Sequence, residues 1–154
     1  MTDAPAVPFV KRYPREITSL VAGPVLIWII GWSHAYLFDA TIALIGALAL
    51  HEFLSLGRKK GYEIPIALCI GVMVVVLAAF VLEDLSVELG VFVTLLIIPA
   101  SYVFSKRSLE DSLPSSAIAV LATLYVGMLG GSLIRLRNDF PEGPRLVFFL
   151  LLVV

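Results

Sequence analysis

Apolar residues run along this chain in five long segments separated by short polar breaks, and a sixth begins at the end. The first, Ile17 to Leu37, is long enough at 1.5 Å per residue to cross a hydrocarbon core of about 30 Å, and Pro24 is expected to kink it. The second runs from Ala40 to Leu56, with Asp39 as the expected N-cap accepting from the free amides of the first turn. The third covers Ile64 to Leu82, the fourth Leu89 to Phe104 with Pro99 inside it, and the fifth Ser116 to Leu136. From Leu146 to Val154 the chain reads Leu-Val-Phe-Phe-Leu-Leu-Leu-Val-Val, the start of a segment that needs about 20 residues to span. The pattern predicts an all-α fold: a polytopic transmembrane helix bundle of five complete spans plus the start of a sixth. Residues 1–16 form an N-terminal tail and 17–154 one transmembrane domain, with no solenoid repeat and no low-complexity linker. A helix cut in mid-bilayer leaves its last carbonyls unsatisfied in hydrocarbon, so the chain is expected to be a fragment of a longer polytopic protein.

Composition agrees. Of the 154 residues, 60% are hydrophobic and 15% charged, with a formal net charge of -1. Soluble domains carry about 25% charged residues, and at this length there is too little polar surface to cover such a core. A soluble enzyme, a disordered tail and a nucleic-acid-binding domain are excluded. The single Cys69 can form no internal disulfide and reads as inert filler in an apolar run. Lys11, Arg12 and Arg15 precede an apolar stretch without a small-residue cleavage pattern, which reads as a retained first span rather than a secretory signal. A cytoplasmic N-terminus places Lys11, Arg12, Arg15, Arg58, Lys59, Lys60, Lys106 and Arg107 inside, eight of the 11 basic residues. Arg135, Arg137 and Arg145 fall outside, where Asp139 and Glu142 are expected to offset part of their charge.

The ionisable residues placed well within a span are His51 and Glu52, and charge in a span is costly enough to mark a functional candidate. The competing reading is interfacial: Glu52 lies one turn before Leu56, where it can reach headgroup water or pair with Arg58 or Lys59, and His51 serves as its amphipathic neighbour. His51-Glu52 begins like a zinc-protease helix, but Ser55 stands where the second histidine belongs. Gly57 and Gly61 flank Arg58-Lys59-Lys60 without completing a phosphate loop, so this basic loop reads first as a cytoplasmic loop touching anionic lipid. Attraction of a nucleotide or an anionic lipid substrate is a secondary role. Gly127/Gly131 and Ala43/Ala47 have the spacing that lets helices approach closely. Trp28, Trp32, Tyr36, Tyr102 and Tyr125 read as interfacial anchors or bundle core.

Three stretches resemble the N-terminal half of bacterial phosphatidate cytidylyltransferases, also called CDP-diacylglycerol synthases. They are Arg15-Glu16-Ile17-Thr18-Ser19 followed by Pro24; Ala49-Leu50-His51-Glu52-Phe53 followed by a basic loop with Gly61; and Tyr125-Val126-Gly127 through Leu136-Arg137, leading to an acidic linker with Gly143 and a Phe/Leu-rich helix start. The resemblance implies transfer of a cytidylyl group from CTP to phosphatidate in phospholipid biosynthesis, at a bacterial inner membrane. It also implies a divalent ion, Mg, to neutralise the phosphates. The family's later motifs, among them Asp-Ser/Thr-Gly-Ala-Tyr, do not occur in these residues, so no catalytic residue, metal ligand or nucleotide contact carries over. Arg15, Thr18, Glu52 and Arg137 match family positions, as scaffold or as lipid-pocket residues; His51, Arg58, Lys59 and Lys60 are secondary candidates. The fragment alone is expected to be inactive, and a homodimer is compatible with it.

Two other classes fit the pattern. In a small transporter or channel subunit, His51-Glu52 would form a proton or cation site; in a membrane scaffold, the glycine-bearing helices would assemble partners. A lipid or polyprenol kinase shares the multi-span, nucleotide-using plan.

Overall fold

The computed structural model describes residues 27–31, 34–82, 84–104 and 109–153. Arg15, Thr18, Pro24, Trp32, the basic tail and the Lys106-Arg107 pair lie outside the described residues. Every regular element described is a helix: a short helical segment at 27–31, then α1 (Ala35–Lys59), α2 (Ile66–Val81), α3 (Val87–Val103), α4 (Leu109–Asn138) and α5 (Gly143–Val153).

The boundaries correct two expectations. α1 starts at Ala35 behind an extended His34, so Asp39 sits inside the helix rather than capping it. Apolar Tyr36, Leu37 and Phe38 extend the helical run toward the N-terminus, and Asp39 is occupied elsewhere, accepting from Asn138 Nδ2 at 3.1 Å. α4 begins seven residues before Ser116 and passes through Pro114 in its second turn. Pro114 has no amide hydrogen to give to the carbonyl of Glu110, so the helix runs on with that one backbone hydrogen bond missing near its start. α3 likewise runs on through Pro99, and at its other end Ser86 caps it by accepting from the Leu89 amide at 3.2 Å.

α2 is apolar on all sides and lies at the centre, in contact with α1, α3 and α4. Its Cys69, Val72, Met73 and Leu77 meet Leu50 and Leu54 from α1, Ile98 from α3, and Ala119, Ala122 and Ile134 from α4 in one buried core. The predicted small-residue spacing accounts for the closest of these contacts. A Cβ at Gly127 would lie 3.0 Å from Val76 Cγ1, and one at Gly131 would run into the ring of Phe80, one turn further along α2. Two glycines four apart on α4 thus face two larger residues four apart on α2, and the axes close up. Ala43 and Ala47 of α1 pack partly buried against the same core.

The exterior is apolar too. Phe92 (74% exposed), Leu96 (70%) and Leu121 (71%) stand on the outer surfaces of α3 and α4. Soluble monomers rarely leave large contiguous apolar patches uncovered. α1, at 25 residues, and Ser112–Asn138, at 27, are each long and apolar enough to cross a membrane. α2 and α3, at 16 and 17 residues, and α5, at 11, are shorter apolar helices. The up-and-down course of α1 to α4 gathers the polar residues at two ends. One carries the α1–α2 loop and the end of α3; the other carries the start of α1, the α2–α3 turn and the α4–α5 turn.

Candidate functional site

At the first end, α1 finishes with Arg58 and Lys59 in its last turn, where their charge complements the partial negative charge of the helix C-terminus. Gly61 then turns the chain with a φ of +94°, a left-handed conformation that a side chain would oppose. The turn brings the carbonyl of Ile64 back to Arg58, which donates to it from Nε at 2.8 Å and from Nη2 at 2.6 Å. Between this loop and the end of α3 lies a cavity of about 700 Å³, lined by Arg58, Tyr62 and Glu63 on one side and by Ser101 and Tyr102 on the other. Ser101 donates to the Ile98 carbonyl at 2.6 Å and so presents lone pairs rather than a proton.

His51 and Glu52 stand exposed on α1 beside Phe53 and Leu56, away from this cavity. Glu52 forms an ion pair with neither Arg58 nor Lys59 among the described residues. Helix geometry explains this: Arg58 is about 240° round the axis from Glu52, and Lys59, on the same face, is two turns or about 10 Å further on. Arg58 moreover has its fork committed to the loop.

The second end is organised by Arg137. It is only 8% exposed, donates from Nε to the Ile30 carbonyl at 3.2 Å, and holds its guanidinium 4.7 Å from the centre of the Phe38 ring. Its neighbour Asn138 bonds Asp39. One turn of α4 therefore ties both the 27–31 segment and the start of α1. Arg135 lies over Phe80 at 5.2 Å, and Arg145 pairs with Glu142 at 3.3 Å in an exposed bridge. Of the two acids expected to offset these arginines, Glu142 does so directly.

The structure thus separates the candidate residues: of those matched on sequence, Glu52 lies on an outer face and Arg137 in a buried tie, while the secondary candidates Arg58, Lys59 and Lys60 lie at the opposite end from Arg137. Sequence reasoning missed Phe38, Ile30 and Asn138 as partners of that tie. Its reading of Tyr102 as an anchor or core residue holds, since Tyr102 belongs to the buried core, and the structure adds that it also lines the cavity. No periodicity reports a contact made across 107 residues. Among the described residues, no three His, Cys, Asp or Glu side chains converge as a metal site.

The sequence profile of the cytidylyltransferase family, which includes the CDP-diacylglycerol synthases, matches residues 13–154. The chain belongs to this family. The match spans both polar ends and all five helices. No significant match is found among curated proteins or among solved structures. Membership implies nucleotidyl transfer, and the apolar helices are consistent with a membrane location.

Proposed function

We propose that this chain is the N-terminal membrane portion of a phosphatidate cytidylyltransferase, which converts CTP and phosphatidate to CDP-diacylglycerol and diphosphate in phospholipid biosynthesis. The observation that carries the reading is the family match over residues 13–154; the apolar exterior of the bundle supports it. In this reading five helices cross a bacterial inner membrane, the shorter α2 and α3 among them, and a sixth begins at α5. The N-terminus and the Arg58-Lys59-Lys60 loop face the cytoplasm, as the distribution of Lys and Arg favours.

The reaction joins the lipid phosphate to the α-phosphorus of CTP, with diphosphate leaving. A divalent ion, Mg by the family's implication, would neutralise the charge on the phosphates, and no three His, Cys, Asp or Glu side chains among the described residues would hold it. The described residues contribute scaffold: Arg137 fixes the non-cytoplasmic end, and the α4 glycines close the bundle on α2. Glu52 and His51, which a transporter reading would place in an internal ion path, instead lie on an outer face of α1. Depleting the protein in its native cells should raise phosphatidate and lower CDP-diacylglycerol. Unchanged levels of both would reject the proposal, and expression of residues 1–154 alone should restore neither.

A further inference from the structure

The cavity beside the α1–α2 loop has no part in the scaffold role given above to Arg137 and the α4 glycines. Arg58 and Glu63 are the charged residues of its lining, and Lys59 and Lys60 follow Arg58 in the same loop, so the loop as a whole carries a net charge of +2. Arg58 spends Nε and Nη2 on the Ile64 carbonyl, which fixes the plane of the guanidinium. Nη1 and the ammonium groups of Lys59 and Lys60 have no protein partner among the described residues. A planar donor held in place in the same loop as two exposed cations is suited to a phosphate oxyanion, which accepts from several donors at once.

The surroundings distinguish a lipid from a soluble phosphate. The cavity wall includes the rings of Tyr62 and Tyr102, and the bundle surface at this end is strongly apolar: Leu56, Val103 and Phe104 are all exposed. Cations and tyrosines beside an exposed apolar band match the layering of a headgroup region over acyl chains. A free phosphate or nucleotide has no use for that band; a phospholipid does.

We propose that this cavity holds the phosphodiester headgroup of an anionic bilayer phospholipid, with its acyl chains lying along the exposed ends of α1 and α3. The site is separate from the nucleotidyl-transfer chemistry, and it rests on the proposed orientation only in needing this end to lie at a membrane surface.

The test uses the full protein in nanodiscs of phosphatidylcholine containing a minor fraction of phosphatidylglycerol, with the co-purifying lipid identified by native mass spectrometry. The wild type should retain phosphatidylglycerol in preference to phosphatidylcholine. K59Q/K60Q, which changes exposed side chains alone, should lower that preference by about five-fold per cation removed. R58K, which keeps the charge but not the fork, should lower it while the double variant's lysines remain. Absence of a preference in the wild type, or an undiminished one in K59Q/K60Q, overturns the proposal. Displacement of the lipid by millimolar inorganic phosphate assigns the site to a soluble phosphate and overturns it too. Because the readout is bound lipid, failure here leaves the depletion test of the transferase reading untouched.

Discussion

Arg137 donates from Nε to the carbonyl of Ile30 at 3.2 Å, closing a contact across 107 residues of chain. Ile30 belongs to the 27–31 helical segment, whose last carbonyls have no partner within their own helix. A guanidinium buried at this point satisfies one of them, and the Phe38 ring beneath it shields the charge. One of the three arginines that run against the inside-positive count is therefore a structural residue.

Removing that side chain should be costly. Arg137→Gln loses a charged hydrogen bond and the stacking on Phe38, so we expect a loss of about 2–3 kcal/mol in detergent unfolding experiments. Arg137→Lys should lose less, and Phe38→Leu about 1 kcal/mol. If the double variant R137Q/F38L falls by the simple sum, the two residues do not act as a unit.

Glu52 should behave oppositely. It is exposed and makes no ion pair with the nearby cations, so Glu52→Gln is expected to change stability by no more than about 0.5 kcal/mol. A loss as large as that of Arg137→Gln would mean that Glu52 has a structural partner in the assembled protein.

Gly131 tests the packing of α4 on α2. A valine there drives its Cβ into the Phe80 ring, with an expected cost of about 1–3 kcal/mol, and Phe80→Ala in the same chain should recover part of it. Gly71, whose Cβ would meet nothing within 4 Å, is the control position and should accept alanine without loss.

Orientation can be read from thiol accessibility. Cys69 is fully buried, so it should resist labelling in the folded protein and needs no more than Cys69→Ala as background. A cysteine at Lys59 should be labelled by an impermeant reagent only after the cytoplasmic face is opened, and one at Arg145 from the opposite side. Labelling of position 59 from outside the intact cell would reverse the assignment.

The apolar runs made four of the helices legible. α2 and α3 lie within two residues of their expected starts and one of their expected ends, because an unbroken apolar segment bounded by Glu63 and Asp84 or by Ser86 and Lys106 has few other ways to satisfy its backbone. α1 and α4 extend beyond expectation for a different reason. Asp39 and Arg137 read as polar punctuation in a one-dimensional pattern, but once bonded to Asn138 or to Ile30 they continue the helix.

The sequence by itself determined the class of protein: an all-α, apolar-surfaced bundle with its basic loops unevenly distributed, and three motifs that already resembled its family. Those properties depend on composition and spacing, which survive without knowledge of neighbours. Only the tertiary structure decided the roles of individual polar residues. It placed Arg137 in a buried tie, left Glu52 and His51 on an outer face, and set Arg58 at the wall of a cavity shared with Tyr102. A charge acquires its role from the groups packed against it, and here those groups come from helices far apart in the chain.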